Sequence, residues 1–261
     1  MWTWFHKFGS PPHFFRLAGI MQPWLLWPSL ALMVVGAYAG LVFAPADYQQ
    51  GDAFRIMYVH VPAAYLMSTI YGLMAVTAAI GLIWRMKLAH AVSASCAPIG
   101  ASFAALALIS GALWGKPMWG TYWEWDPRLT STLILFFVYV GYMSLRASFE
   151  EISKADRASG VLAIVGAVNL PIIHYSVIWW SSLHQGPSIK KLDTPSIPAD
   201  MLWPLLVLIL ASTVFFGAIL LARVRAEVLD RERNSRWVRE MVESEPAGAT
   251  SPGFVTESKE M

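Results

Sequence analysis

The chain has 261 residues, of which 56% are hydrophobic and only 14% charged, and its mean hydropathy is +0.50. A soluble domain carries roughly a quarter charged residues, so this sequence lacks the charge to cover a water-facing surface and a soluble globular class is excluded. The formal net charge of +2 says little about partners, and no nucleic acid is expected among them.

Apolar runs near the ~20 residues that cross a bilayer as a helix stand at approximately 21–43, 57–84, 94–114, 130–146, 158–179 and 202–222. The fold class is therefore all-α, a polytopic membrane protein of about six transmembrane helices. The short alternating segments of a β-barrel are missing. Ahead of the first run, 1–20 is an amphipathic lead-in with Lys7, Arg16, Phe5, Phe8, Phe14 and Phe15. It lacks the short apolar core of a signal peptide. Ala44-Pro45-Ala46 imitates a cleavage site, but its proline and the length of the preceding run argue against cleavage. The single cysteine, Cys96, falls in the third run, so no intramolecular disulfide can form. It is expected to be a small buried apolar residue. Cys-x-x-Cys-His, the site of covalent haem attachment, is missing. After the sixth run, 223–239 is a charged, helix-like stretch, solvated or lying on anionic lipid. Residues 240–261 are expected to form a disordered cytoplasmic tail.

Lysine and arginine set the expected orientation. The N-terminus, the 85–93 and 146–157 links and the tail carry fourteen of them, and the 44–56, 115–129 and 180–201 links carry five. Both termini should therefore be cytoplasmic, with three loops facing outward.

The densest chemical signal is Trp114-Gly115-Lys116-Pro117-Met118-Trp119-Gly120-Thr121-Tyr122-Trp123-Glu124-Trp125-Asp126-Pro127-Arg128. Glycine and proline should keep it from forming one simple helix. An aromatic belt at the membrane surface is the plain explanation for its tryptophans. The alternative is a platform for a flat apolar ligand: Trp114, Trp119, Trp123 and Trp125 can stack on a large π-system. Asp126 could orient an indole or backbone N–H. Arg128 and Lys116 could meet ligand carboxylates.

The orientation sorts the six histidines. His6, His13 and His90 fall on the cytoplasmic side, while His60 and His184 share the outer face with the tryptophan loop. Neutral imidazole suits iron, and porphyrin iron has two axial positions. Two histidines beside a tryptophan platform thus read jointly as axial haem ligands. His174 lies inside the fifth run after Asn169-Leu170-Pro171, where Asn169 and Pro171 could mark a local break. A neutral histidine bonded to a neighbouring helix is its structural alternative. Ser110-Gly111-Ala112-Leu113-Trp114-Gly115-Lys116-Pro117 fails as a phosphate loop, since its first glycine is one residue too close and proline replaces the Ser or Thr. The chain should not hydrolyse ATP by itself.

The loop Trp119-Gly120-Thr121-Tyr122-Trp123-Glu124-Trp125-Asp126 resembles the tryptophan-rich (WWD) signature of haem-handling proteins in cytochrome c biogenesis. With six spans, the two outer histidines, the stretch 43–51 and the stretch 169–176, the sequence over 1–239 is similar to the haem exporter protein C (CcmC) family. The resemblance implies haem b held by His60 and His184, with the tryptophan loop on the exposed haem. It implies delivery to the periplasmic haem chaperone CcmE and work with CcmA, CcmB and CcmD in the bacterial inner membrane, where ATP hydrolysis releases the loaded chaperone. It points to haem transfer rather than intrinsic catalysis. Two other classes stay open on the residues alone: a membrane b-type cytochrome for electron transfer, and a cofactor-free transporter subunit.

Overall fold

Proline opens the first helix of the computed structural model, which describes residues 10–184 and 197–244. Helix α1, Pro11–Tyr38, begins at a proline whose missing N–H would have had no partner in the helix. It continues as a π-helical turn, Ala39–Phe43. A 3-10 turn, Asp52–Ile56, leads into α2, Met57–Trp84. There follow α3, Lys87–Trp119, α4, Pro127–Ala147, α5, Ile152–Gly166, and α6, Asn169–Trp179. Then come α7, Ala199–Arg231, and the short α8, Arg236–Ser244. With α5 and α6 as one interrupted span, six helical spans are long and apolar enough to cross a membrane. The protein is an all-α, multi-pass membrane protein; among the described residues there is no strand beyond an isolated bridge between Asp47 and Gly51.

The interruption between α5 and α6 has a local cause. Pro171 has no N–H to give to the carbonyl four residues back, and its ring crowds that carbonyl. The helix accordingly opens into a turn at Ala167 and Val168. Asn169 then donates its side-chain amide to the Ser131 carbonyl of α4 at 2.8 Å, fixing the start of α6. This is the break the sequence indicated.

Three boundaries differ from the expectation. Residues 11–20 belong to the first spanning helix rather than to a separate lead-in. The third helix runs through Pro117 to Trp119, so the tryptophan segment starts helical and becomes a loop only at Gly120. A proline in the last turn removes one donor near the helix end, which the helix tolerates. Gly120, at φ +82°, then closes it by donating to the Lys116 carbonyl at 3.1 Å. The third difference is in the tail, where 240–244 are helical within α8 and not part of a disordered segment. Residues 245–261 lie outside the described residues.

Helices α2 and α3 pack along each other at the centre, and α1 packs along α7. The core joins Leu66, Ile70, Tyr71 and Met74 of α2 to Cys96, Ala97, Ala104 and Ala107 of α3 and to Leu135 and Tyr139 of α4. Small residues along α3 let the helix backbones approach closely, as membrane packing requires. Tyr139 uses that space: its ring lies over Gly100 and its hydroxyl donates to the Met67 carbonyl at 2.7 Å. Cys96 is fully buried, as expected.

The two ends of the bundle differ in chemistry. At the end holding both described termini, Asp156 of α5 receives Arg146 of α4 (2.5 Å) and Arg231 of α7 (2.8 Å). Glu227 of α7 takes a further hydrogen from each arginine, at 2.8 and 2.9 Å. At the other end, Arg55 donates to the Gly40 and Ala44 carbonyls at 2.7 and 2.9 Å, capping the end of α1. That end also carries Trp114, Trp119, Trp123, Trp125, His60 and His184.

Candidate functional site

His60 sits in the first turn of α2 and is buried, with 9% of its surface exposed. Its Nδ1 lies 3.1 Å from the Ser110 hydroxyl of α3. The next residue, Gly111, leaves the ring its room: a Cβ there would stand 2.9 Å from His60 Cε1. Trp114, one helical turn further along α3, meets His60 edge to face at 5.7 Å between ring centres.

Trp114 is held in turn by the preceding loop. Its indole N–H donates to Gln50 Oε1 at 3.0 Å. Gln50 is placed by a tight turn in which Asp47 Oδ1 accepts the backbone N–H groups of Gln49 and Gln50 at 2.9 and 2.8 Å. Gly51 closes the turn at φ +55°, a conformation that glycine takes without strain.

His184 reaches the same place from beyond the end of α6. Its ring centre lies 6.1 Å from that of His60, with the planes 25° apart. It lies 5.8 Å from Trp119, edge to face. Asp126 determines where this segment runs. Its Oδ1 accepts the Arg128 N–H at 2.8 Å, capping α4, and its Oδ2 accepts the Leu183 N–H at 2.9 Å. The Ser182 hydroxyl also bonds to this carboxylate, and Ser182 Oγ accepts the His184 N–H at 3.1 Å. Burial raises the Asp126 pKa. The hydrogen bonds from Ser182 and from the Arg128, Leu183 and Leu129 backbones more than offset this and hold the carboxyl below its usual value.

The expected tryptophan platform is thus divided. Trp114 and Trp119 flank the histidine pair, whereas Trp123 and Trp125 form their own edge-to-face pair at 5.6 Å. Trp125 is 75% exposed. Asp126 holds backbone N–H groups and no indole. Arg128 turns toward α6, donating to Ser176 Oγ at 3.3 Å and to the His174 carbonyl at 3.4 Å. Lys116 donates to the Gly120 carbonyl at 2.9 Å and lies over the Tyr122 ring. The His174 ring is exposed and touches Tyr175 at 4.8 Å, so it is not bonded into a neighbouring helix as its structural alternative required. His90 lies at the opposite end of the bundle, packed on Gly81.

The histidine spacing can be tested against a metal. A metal–imidazole nitrogen bond is about 2 Å and each ring centre lies roughly 1 Å beyond its nitrogen, so two rings on opposite sides of one metal stand about 6 Å apart. The observed 6.1 Å between ring centres matches that spacing in length. Among the described residues no group of three His, Cys, Asp or Glu could hold a metal ion. Two imidazoles alone suit an iron whose four in-plane ligands come from a porphyrin.

Sequence reasoning missed Gln50, Ser110, Gly111 and Ser182. Gln50 lay in the stretch 43–51, and Ser110 and Gly111 in the stretch rejected as a phosphate loop, each noted for another reason; only Ser182, two residues before His184, is near a histidine in the chain.

Comparison with known proteins places these features in a family. The family model for heme exporter protein C (CcmC) matches residues 4–239. Heme exporter protein C of Haemophilus influenzae is 46% identical over 244 residues, covering 94% of this chain and 99% of its own. That of Escherichia coli K12 is 45% identical over 243 residues, covering 93% and 98%. That of Bradyrhizobium diazoefficiens is 46% identical over 226 residues, covering 87% and 86%.

Proposed function

The chain belongs to the heme exporter protein C family, and from that membership we propose that it binds haem b between His60 and His184 and delivers it to an acceptor for c-type cytochrome assembly. The observation that carries this is the 6.1 Å spacing of two imidazoles brought from distant helices. Trp114 and Trp119 supply edges beside the ligands, while Trp123 and the exposed Trp125 offer apolar surface to the part of the haem that projects from the bundle. Asp126 acts on haem through the chain it positions.

The site lies at one end of the bundle, where a second protein can reach it. The excess of lysine and arginine at the other end supports the reading that this end faces the periplasm from the bacterial inner membrane. The acceptor is the periplasmic haem chaperone CcmE, and CcmA, CcmB and CcmD are the partner subunits. Residues 1–239 form the haem-handling unit, with 240–261 as a cytoplasmic tail. The chain holds and transfers haem and needs no intrinsic catalytic activity.

The test is haem staining of the chaperone in a strain lacking this protein. Covalent chaperone haem should disappear, along with mature c-type cytochromes, while b-type cytochromes stay normal. Undiminished chaperone haem would rule the role out.

A further inference from the structure

At the end of the bundle that holds both described termini, three buried donor groups have no acceptor among the described residues: Arg225 Nε of α7, the Trp237 indole N–H of α8 and the Ser235 hydroxyl just ahead of α8. A buried polar group without a hydrogen bond is costly, and native structures keep such groups few. We propose that this corner binds the phosphate of an anionic phospholipid, with Arg225 as its cation and Trp237 and Ser235 as further donors.

Phe15 of α1 brings the first two groups together. Arg225 Cζ lies 4.3 Å from the centre of the Phe15 ring, and the Trp237 ring stands 5.7 Å from the same centre. Gly19, one turn further along α1, leaves the guanidinium its room: a Cβ there would stand 3.0 Å from Arg225 Cζ. The cation is thus laid against one face of α1 by a ring and a bare stretch of helix. Ser235 precedes Trp237 by two residues, where the chain turns from α7 into α8.

All three groups can donate, and a guanidinium and an indole N–H can do nothing else. Among the described residues no ion pair includes Arg225. Its neighbour Arg231 is paired with Asp156 and Glu227, and Arg236 with Glu240. The ligand that fits is an anion rich in acceptor oxygens, as a phosphate is. Residues 223–239 hold six arginines against three acidic residues, so the field at this end draws such a group.

The surroundings decide its source. Phe14, Leu88 and Trp237 pack against the apolar cluster of Val224 and Val228. At the same height of α1, a spanning helix, Leu17, Ile20 and Met21 are exposed. A lipid phosphate has apolar surface beside it for its acyl chains, which a free phosphate would leave unused. Helix α8 has the pattern of a headgroup-level helix: Val238 is buried, Trp237 half-buried, and Arg236, Arg239 and Glu240 are exposed. A phosphate held by Arg225, Trp237 and Ser235 ties α8 to the ends of α1 and α7.

The full chain, purified in detergent, tests this by thermal unfolding with lipid added. Phosphatidylglycerol should raise the unfolding temperature, while phosphatidylcholine, neutral overall, and inorganic phosphate should not. Arg225→Gln keeps amide donors and loses the charge; it should raise the phosphatidylglycerol concentration needed about tenfold or more. Trp237→Phe keeps a ring against Phe15 and loses the N–H; it should raise that concentration about two- to tenfold. This variant carries the test if Arg225→Gln does not fold. Arg233→Gln, at an exposed arginine of the same run, should respond as the wild type does. An equal loss in Arg233→Gln and Arg225→Gln would mean diffuse attraction of the run to anionic lipid and would overturn the site. An equal rise with phosphatidylcholine would overturn the choice of an anionic ligand, and an equal rise with inorganic phosphate the choice of a lipid. A wild-type lipid response in Arg225→Gln and Trp237→Phe, with loss of a partner subunit from the purified complex, would assign these donors to a protein surface instead.

Discussion

The imidazoles of His60 and His184 lie 6.1 Å apart, centre to centre, although one stands on α2 and the other follows α6. His90, on α3 at the opposite end of the bundle, is the natural control. Its replacement by alanine should leave haem content and spectrum unchanged. A spectral change in His90→Ala would mean that the site is not confined to the tryptophan end.

Orientation gives the second prediction. Reporter fusions at Thr121 and at Arg223 should report opposite sides of the membrane, with Thr121 periplasmic. These residues sit at opposite ends of spanning helices, and the lysine and arginine excess falls on the Arg223 side. The same sidedness at both positions would break the topology.

The tryptophans should not contribute equally. Base–aromatic stacking, a related contact, is worth roughly 1–3 kcal/mol per ring. At about 1.4 kcal/mol per decade, one lost ring weakens haem retention some five- to a hundredfold, or ~5–100-fold. Trp119→Ala also removes the ring beside His184, so it should alter the spectrum as well as the haem content. Trp125→Ala should lower haem retention without changing iron coordination. Wild-type haem content in a correctly inserted Trp119, Trp123 and Trp125 triple alanine variant would return these residues to an aromatic belt.

Asp126 should matter for its charge at neutral pH and yet confer no pH dependence there. Its carboxyl pKa lies below the unfolded value of 3.8. Its stabilising contribution is therefore complete above about pH 4 and is lost as pH falls through the lower, folded value. Haem retention by the wild type should show no Asp126-linked transition between pH 5 and pH 8, an interval set roughly one unit or more above that range. Asp126→Ala removes the α4 cap, worth about 1 kcal/mol. It also leaves the Leu183 N–H without its acceptor, at about 1–3 kcal/mol. Haem titration at neutral pH should then show weakened retention, with the larger effect on the His184 side of the iron.

The ion cluster at the other end should bear on stability and not on haem. Asp156 and Arg231 are each 8% exposed at the side chain. Asp156→Ala leaves Arg146 and Arg231 without their shared carboxylate, and removing one partner of a buried pair costs roughly 3–5 kcal/mol. Thermal unfolding in detergent should move down by several degrees while the haem spectrum stays as in the wild type. A normal unfolding temperature would show that Glu227 alone satisfies both arginines.

The sequence by itself determined the solvent of this protein, its all-α class and the six spans, because length and apolarity of a run decide membrane crossing without reference to the rest of the chain. The second span was placed at 57–84, the observed bounds of α2. Pro171 announced the break between α5 and α6 because a missing N–H acts within one turn. Contacts between spans were not legible. Gly111 could not be recognised as the seat of His60, nor Gln50 as the partner of Trp114, because neither residue acts on its own neighbours in the chain. The same holds for Asp126, whose cap on α4 is local but whose grip on Leu183 depends on how α4 and α6 pack. Tertiary structure alone decided which side chains meet, since a hydrogen bond or a ring contact depends on separation in space, and the packing of the helices sets that separation.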